Sequence, residues 1–299
     1  MRTVLGFGIM LALMFCSCAR FSPTSSESAS LSGEKAMEHV RAQVAFGPRP
    51  PGSPQLEKCR EYIERQMRGY GYRLEKDAFV ARTPYGPISM CNLIARKEDG
   101  GKGVIALATH FDTKLMEGKN FVGANDPGSS AGLVIELARV LADRREPLDY
   151  WFLFLDGEEA FVEWSTFDST YGSRHLAQRW EKDGIVPKVR ALILLDMIGD
   201  KDLGIWYDTN STAYLMDLVW ESAHKAGLES ILSKTRGSVL DDHIPFLDVG
   251  VPSVDIIDLT YGSGNSYHHT LEDTLDKVSP QSMEKAGRLV LAMLSELQK

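Results

Sequence analysis

The apolar positions along the chain fall into two patterns. Residues 104–110, 150–156, 191–199 and 251–258 are short runs that are apolar at nearly every position. Runs of this kind are typical of strands that are buried on both faces of a parallel sheet. In residues 129–141 the apolar positions recur at helical spacing instead. The two patterns together predict an α/β fold with a mixed, largely parallel central sheet that helices flank on both faces.

Turn and capping signals place the remaining elements. Helices are predicted at residues 33–45, 54–70 and 280–297, and residues 79–97 are predicted to form two strands around a Pro-Gly turn. No internal repeat is evident, and no apolar run after the amino terminus is long enough to span a membrane. Residues 33–299 are therefore predicted to form one domain.

The amino-terminal segment has the layout of a secretory signal. Arg2 precedes an apolar run at residues 4–15, which is shorter than the roughly 20 residues of a membrane-spanning helix. Residues 1–17 are predicted to be a signal peptide, and their similarity to bacterial lipoprotein signals makes Cys18 the predicted lipid-bearing residue. The serine-rich residues 18–32 are predicted to be a flexible tether. The protein would then reside in the bacterial cell envelope or periplasm, with membrane contact only through this lipid; an ordinary cleaved signal is the alternative.

Composition and charge narrow the class of partner. The net charge is −8 and no cluster of Lys and Arg stands out, so no nucleic-acid partner is expected. With 43% hydrophobic residues the chain has the composition of a folded globular protein. Cys59 and Cys91 do not have the spacing of a zinc–thiolate site, and spacing alone leaves open whether they pair.

Acidic and histidine residues follow the predicted strands. They are, in chain order, His110, Asp156, Glu158, Glu159, Asp196, His268 and His269. Ligands of largely parallel sheets bind at the carboxyl ends of the strands. These residues are therefore expected to converge on one site.

Asp126, Glu159 and His269 offer two carboxylates and one imidazole. That donor set suits Zn²⁺ with an open fourth position. If Glu159 binds the metal ion, Glu158 is free to act as a general acid and base, with a pKa raised by burial and neighbouring acids. Each residue also has a structural interpretation: Asp126 could cap the helix that follows, and a lone histidine is more often a satisfied surface or core residue.

Four more residues have both interpretations. His110 and Asp112 could form hydrogen bonds at a turn, or provide a second metal ligand with a carboxylate that orients it. Asp196 ends a predicted strand. Asp241 opens the sequence DDH before Pro245, where an acidic residue could cap a helix.

These residues resemble the pattern of the zinc aminopeptidase-like family M28. Within that family, several stretches are similar to glutaminyl cyclases, which convert N-terminal glutamine to pyroglutamate. The similar stretches are FVARTPYGP (79–87), THFDTK (109–114), FVGAND (121–126), LDGEEAFVEWS (155–165), DSTYGSRHLA (168–177), LLDMIGD (194–200), DDHIPFL (241–247) and HTLED (269–273).

The resemblance implies a role for each matching position. Asp126, Glu159 and His269 match the ligands of a single zinc ion, and Glu158 matches the residue that moves protons. Asp196 and Asp241 match partner acids that share hydrogen bonds beside the reacting amide. Trp164 matches a tryptophan that lines the substrate pocket; without the resemblance, ordinary packing would be the expected role of Trp164.

The chain also departs from the cyclase pattern. His268 stands where cyclases usually carry a tryptophan that lines the substrate pocket, and either histidine could reach the metal ion, although His269 is in frame with HTLED. Thr109 and Ser130 occupy the places of a disulfide found in the animal enzymes.

The function predicted from the resemblance is glutaminyl-peptide cyclotransferase, with peptide or protein N-termini as substrates. The alternative is a zinc aminopeptidase of the same family, in which Asp126 would bridge two zinc ions. His110 and Glu159 would then hold one ion each, and Asp196 and His269 would complete the two sites. Asp241, where peptidases of the family more often have serine, favours the cyclase. A non-catalytic binding protein of the cell envelope that retains the fold is a third possibility.

Overall fold

A computed structural model describes residues 1–3, 30–97 and 101–299 of the chain. Most of the predicted signal peptide and tether lies outside the described residues, as does Cys18. Across the part that the structure describes, none of the helices combines the length and apolar composition needed to cross a membrane.

A mixed sheet forms the centre of the molecule. Its strands are β1 (Arg73–Thr83), β2 (Gly86–Arg96), β3 (Val104–His110), β4 (Asp149–Leu155), β5 (Val189–Asp196) and β8 (Ser253–Ile257). Their order is β1-β2-β4-β3-β5-β8; β1, β2 and β4 pair antiparallel, while β4, β3, β5 and β8 are parallel. The prediction of a mixed, largely parallel sheet is confirmed.

Helices cover both faces of this sheet. They are α1 (Gly33–Val44), α2 (Pro54–Gly69), α3 (Gly128–Leu141), α4 (Tyr171–Lys182), α5 (Ala213–Ala226), α6 (His243–Asp248) and α7 (Pro280–Leu297). The first three, α5 and α7 contribute to one hydrophobic cluster, and α4 and α6 contribute to another. The helices predicted at 33–45, 54–70, 129–141 and 280–297 are all present.

The side chains of β3 show why this strand is apolar at almost every position. Ile105 and Leu107 pack in the first cluster, while Val104, Ala106 and Ala108 pack in the second. All five are buried, because successive side chains of a strand point to opposite faces and helices cover both faces here. The strand therefore ends at a fixed position between two packed layers.

Four elements were not predicted from the sequence. They are α4, α5 and the short strands β6 (Ile205–Asp208) and β7 (Leu232–Gly237), which pair parallel in a separate small sheet. Helix α4 is rich in polar residues, and β7 has no buried residue. Helix α4 and strand β7 therefore lack the apolar pattern on which the prediction depended.

A buried arginine connects the end of α1 to the loop that precedes α3. The guanidinium of Arg49, which is fully buried, donates to the carbonyl oxygens of Gln43 at 3.1 Å, Gly47 at 3.2 Å, Val122 at 2.8 Å and Gly123 at 3.3 Å. One side chain thus satisfies four carbonyl groups, and its bonds to Gln43 and Gly123 are fully buried.

Replacing Arg49 by methionine should destabilise the protein. The substitution keeps most of the volume but leaves four carbonyl oxygens, two of them in buried hydrogen bonds, without this donor, which should lower the free energy of unfolding by about 3 kcal/mol. Urea unfolding of the purified protein measures this change. The exposed Arg82 provides the control, since Arg82→Met should change stability by less than about 0.5 kcal/mol. Equal stability of the two variants would contradict the role of Arg49.

Candidate active site

The parallel part of the sheet brings the polar strand ends together. His110 ends β3, Asp196 ends β5, and Glu158 and Glu159 follow β4, which lies next to β3. All four side chains are buried. Asp126, from the loop before α3, reaches the same place, so residues far apart in the sequence meet at one edge of the sheet.

Two of these carboxylates, Glu159 and Asp126, lie beside the imidazole of His269. The Nε2 atom of His269 lies 3.0 Å from Glu159 Oε1 and 3.3 Å from Asp126 Oδ2. His269 adopts a left-handed backbone conformation, with φ of 51°, which is uncommon for a residue other than glycine. The three residues predicted to bind a metal ion therefore lie within contact distance of a common atom.

The other oxygen of Asp126 faces a second imidazole. The Nε2 atom of His110 lies 3.1 Å from Asp126 Oδ1 and 3.3 Å from Asp196 Oδ1. Asp126 thus lies between the two histidines, with one carboxylate oxygen directed at each. This is the position that a carboxylate needs if it bridges two ligand sets.

The donor atoms of this region fit a divalent metal ion. Two groups have ligand atoms that all lie within 4.8 Å of one another: Asp126 with His268 and His269, and Asp126 with His110 and Asp196. Glu159 Oε2 is buried, lies 3.5 Å from Lys114 Nζ, and has no hydrogen-bond partner within the described ranges. Buried carboxylate and imidazole donors of this kind are suitable ligands for such an ion.

His268, which was predicted to bind substrate, also lies close to the candidate metal ligands. Its Nε2 atom lies 3.7 Å from Asp126 Oδ2, and its ring centroid is 3.8 Å from that of His269. Burial lowers the pKa of His268 to about 4, so the ring is neutral at physiological pH. A neutral imidazole retains a lone pair that can accept a hydrogen bond or bind a metal ion.

The acids and imidazoles shift one another's protonation. Burial lowers the pKa of His269, but the carboxylates of Glu159 and Asp126 reverse this effect and raise it to about 10. Burial alone would raise the pKa of Asp126, but hydrogen bonds from His110 and His269 hold it well below its usual range. Asp126 is therefore ionised, and the site as a whole favours positive charge beside it.

The pKa of Glu158 is shifted in the opposite direction to that of Asp126. Burial raises the pKa of its carboxyl group well above the usual value; His110 opposes this change, while Glu159 and Asp241 add to it. The Oε2 atom of Glu158 lies 3.6 Å from His110 Nδ1. A carboxyl group whose pKa is raised in this way is suited to both accepting and donating a proton, which is the property of a general acid and base.

Asp196 and Asp241 form a second pair of acids with raised pKa values. Burial raises the pKa of Asp241 to about 7, with a further contribution from the charge of Asp196. Burial also raises the pKa of Asp196, and His110 opposes that change. Two acids whose charges interact in this way titrate together.

Asp112 holds the loop that carries the two glutamates. Its Oδ1 atom accepts from the backbone N–H groups of Gly157 at 2.9 Å and Glu158 at 3.1 Å, and its Oδ2 atom accepts from that of Glu159 at 3.3 Å. Its distance from His110 Nδ1 is 3.7 Å. In the described structure the main hydrogen bonds of Asp112 therefore position the Glu158–Glu159 backbone, which agrees with the hydrogen-bonding role that the sequence left open, and its orientation of His110 stays a prediction.

Two further carboxylates, to which the sequence analysis assigned no role, position loops of the site. Asp273 accepts from the backbone N–H groups of Asn125 at 2.7 Å and Asp126 at 3.1 Å. Asp168 accepts from the N–H groups of Phe161 at 3.0 Å, Val162 at 2.8 Å and Glu163 at 3.0 Å. Both lie in stretches that supported the family resemblance, which was the available signal for them.

A hydroxyl pair lies where the resemblance implied a missing disulfide. Thr109 Oγ1, on β3, is 3.0 Å from Ser130 Oγ, on α3, and both residues are fully buried. Cys59 and Cys91 are buried free thiols. These two cysteines therefore do not form a disulfide with each other.

A cavity of about 330 Å³ opens directly onto these groups. Residues that line it include Asp126, Glu158, Trp164, Asp196, Leu240, Asp241, His268 and His269. Trp164 and His268, the two residues predicted to contact substrate, are both in its wall. Asp126 and His269, the acids with raised pKa values and these two rings therefore face the same space.

Comparisons with known proteins place the chain among related enzymes. The model of peptidase family M28 matches residues 92–294. A glutaminyl-peptide cyclotransferase-like protein of Bos taurus is 32% identical over 277 residues, which cover 83% of this chain and 72% of that protein. The crystal structure of an Acidobacteriales bacterium glutaminyl cyclase has a TM-score of 0.87 and 41% identity, and the match covers 94% of this chain and 99% of that one. The Porphyromonas gingivalis glutaminyl cyclase has a TM-score of 0.80 and 28% identity, with 89% and 98% covered.

Asp126→Asn should weaken the binding of a divalent ion. An amide at this position removes the negative charge shared by both groups of donors, so affinity should fall by at least about 100-fold. Competition between the purified protein and a chromogenic chelator for Zn²⁺ measures it. The exposed Asp143 supplies the matched control, and Asp143→Asn should bind as the unmodified protein does. Undiminished affinity of a folded Asp126→Asn variant would exclude this residue as a ligand.

Proposed function

We propose, from the premise that the chain belongs to peptidase family M28, that it is a glutaminyl-peptide cyclotransferase. The relatives that bear this name or the name glutaminyl cyclase support the assignment. The structural observation that carries it is that Asp126, Glu158, Asp241 and His269 line one cavity of about 330 Å³. An N-terminal glutamine would be cyclised there to pyroglutamate, with release of ammonia.

The candidate metal ion is zinc, and Asp126, Glu159 and His269 would hold it. Two carboxylate oxygens and one imidazole nitrogen leave a position open for substrate in a four-coordinate site. A zinc ion bound there supplies Lewis-acid polarisation of the side-chain amide of the substrate. One ion per chain is expected for the cyclase.

Glu158 would move the proton that the reaction requires. The α-amine of the substrate attacks the carbon of its own side-chain amide, so a new C–N bond forms and the bond to the amide nitrogen breaks. Glu158 accepts a proton from the attacking amine and donates it to the nitrogen that leaves as ammonia. The raised pKa of Glu158 supports both halves of this transfer.

Asp196 and Asp241 would orient the reacting nitrogen. A shared proton between them leaves one carboxyl group able to donate a hydrogen bond and the other able to accept one. Both side chains are buried in the wall of the cavity. They therefore keep this geometry without competition from bulk water.

Trp164 and His268 would hold the substrate in the folded conformation that the attack needs. Both line the cavity, and holding two reacting groups of one molecule in contact removes much of the entropic barrier to their reaction. His268 replaces the usual tryptophan of the cyclase pattern, so this wall is smaller and more polar than the pattern implies.

A second candidate function is supported by the group His110, Asp126 and Asp196. A two-zinc aminopeptidase would use Asp126 as the bridge between that group and the one around His269. The similarity of Asp241 to the cyclase pattern, and the names of the relatives, favour the cyclase. We further propose that the protein acts in the cell envelope, on the support of the signal-like residues 1–17.

A paired assay separates the two activities. The metal-loaded protein is incubated with a Gln-initiated peptide and with a Leu-initiated peptide of the same remaining sequence. The expected result is ammonia release and a mass loss of one ammonia from the first peptide, with the second left intact. Release of free leucine would identify an aminopeptidase instead, and a zinc content of about two per chain would support that outcome.

Glu158→Gln should abolish turnover while the metal ion remains bound. The amide cannot accept and return a proton, so kcat should fall by about 10²–10⁴-fold, with zinc content unchanged by elemental analysis. Glu163, exposed on the same loop, gives the control, because Glu163→Gln should retain full activity. Full activity of Glu158→Gln would refute its role as the general acid and base.

A further inference from the structure

The ring of His268 faces the same space as that of the neighbouring His269. Both residues line the catalytic cavity, and their ring centroids are 3.8 Å apart, with the two planes inclined by 37°. Consecutive side chains of an extended segment point in opposite directions, but the left-handed backbone of His269, with φ of 51°, turns both rings to one side. Two imidazoles are therefore presented together beside Asp126.

The distances among the donor atoms fit a single zinc ion. Donor atoms that bind one zinc ion tetrahedrally at about 2.0–2.1 Å lie about 3.3–3.4 Å from one another. His269 Nε2 is 3.3 Å from Asp126 Oδ2 and 3.0 Å from Glu159 Oε1. His268 Nε2 is 3.7 Å from the same oxygen of Asp126, which is too long for a hydrogen bond but close to the spacing of two ligands. Donor atoms of Asp126, His268 and His269 all lie within 4.8 Å of one another.

The other nitrogen of the His268 ring has a neighbour that can orient it. Asn265 Nδ2 lies 3.0 Å from His268 Nδ1, whereas Asn265 Oδ1 is buried and has no hydrogen-bond partner among the residues that the structure describes. A ring that binds a metal ion through Nε2 carries its proton on Nδ1 and needs an acceptor there. Rotation of the amide by half a turn exchanges its two ends and brings Oδ1 to that nitrogen. Asn265 thus offers the hydrogen bond that metal-binding histidines usually make.

We propose that His268 is a fourth protein ligand of the zinc ion in the free enzyme, beside the three ligands named above. This inference rests on the metal site of the proposed function and adds a ligand that the cyclase pattern lacks. That pattern has a tryptophan at this position, and an indole has a donor N–H group but no lone pair to offer a metal ion. A site with tryptophan here keeps its fourth position open, whereas this chain can close it.

A closed fourth position changes what can reach the metal ion. Catalytic zinc sites with three protein ligands leave the fourth position to water or substrate. With His268 bound, water and small ligands are excluded from the ion until the side-chain amide oxygen of an N-terminal glutamine displaces the imidazole. His268 lies in the cavity wall, with 24% of its side chain exposed, so a substrate that enters the cavity meets this ring directly.

Zinc affinity is the first test of this ligand. Purified variants compete with a chromogenic chelator for Zn²⁺ in the absence of substrate, and thermal unfolding checks that each is folded. His268→Ala should weaken binding by at least about 10-fold, because one donor is lost. His224→Ala, at a side chain that is 82% exposed, is the matched control and should bind as the unmodified protein does.

A variant of Asn265 tests the orientation of the ring. Asn265 has a left-handed backbone, with φ of 65°, so Asn265→Gly removes the amide and keeps a conformation that glycine adopts readily. This variant should weaken Zn²⁺ binding in the same direction as His268→Ala but by a smaller factor, since the ligand itself remains.

Free imidazole distinguishes a ligand from a residue of the cavity wall. Co²⁺ is loaded in place of zinc, because its visible absorption reports the surrounding ligands, and imidazole is titrated into the loaded protein. His268→Ala should bind imidazole at least about 10-fold more tightly than the unmodified protein does, because its fourth position is vacant. At saturation the spectrum of the variant should approach that of the unmodified protein, since the same type of donor then fills the same position.

Neither measurement uses turnover, so the outcome is independent of the proposed reaction. Equal Zn²⁺ affinity and equal imidazole affinity of the unmodified protein and a folded His268→Ala variant would overturn the inference and leave the proposed function intact. Failure of the unmodified protein to bind Zn²⁺ at all would refute the proposed metal site, and this inference with it.

Discussion

Crowding of carboxylates at the carboxyl ends of β3, β4 and β5 is the constraint on which the site depends. Asp126, Glu158, Glu159 and Asp196 are all buried within reach of one another's charges. Buried like charges are tolerated only if some groups take up protons or if a positive charge lies among them. Glu158 follows the first route and the Asp126 region the second, with His110 and His269 beside it. A divalent cation would supply that positive charge more completely than two imidazoles do.

The protein uses its buried acids in two distinct ways. Asp112, Asp168 and Asp273 accept several backbone N–H groups each and thereby fix the loops around the site. Burial would raise the pKa of Asp168, but its hydrogen bonds lower it, whereas burial raises the pKa of Asp273 to about 7 in spite of them. Glu158 and Asp241, in contrast, line the cavity. The carboxyl groups that hold the loops are thus different residues from those that face the cavity, although both sets consist of the same residue types.

The sequence predicted the parts of this arrangement that depend on local apolar pattern. The four buried strands and the convergence of polar residues at their ends follow from runs such as 104–110 and from the geometry of parallel sheets. Asp168 and Asp273 could not be recognised in that way, because their partners are backbone groups that carry no residue identity. Helix α5 was missed for a different reason. Its buried positions Leu215, Met216, Val219 and Ala223 have helical spacing, but it lies outside the apolar runs from which the strands were predicted.

The contact between Thr109 and Ser130 has a consequence for where this fold can be produced. A cystine at the junction of β3 and α3 would make correct assembly depend on an oxidant, whereas two hydroxyl groups at 3.0 Å do not. Cys59 and Cys91 remain thiols within the described residues. The domain can therefore reach this structure at a reducing potential such as that of a bacterial cytoplasm, and a thiol reagent would leave the junction intact.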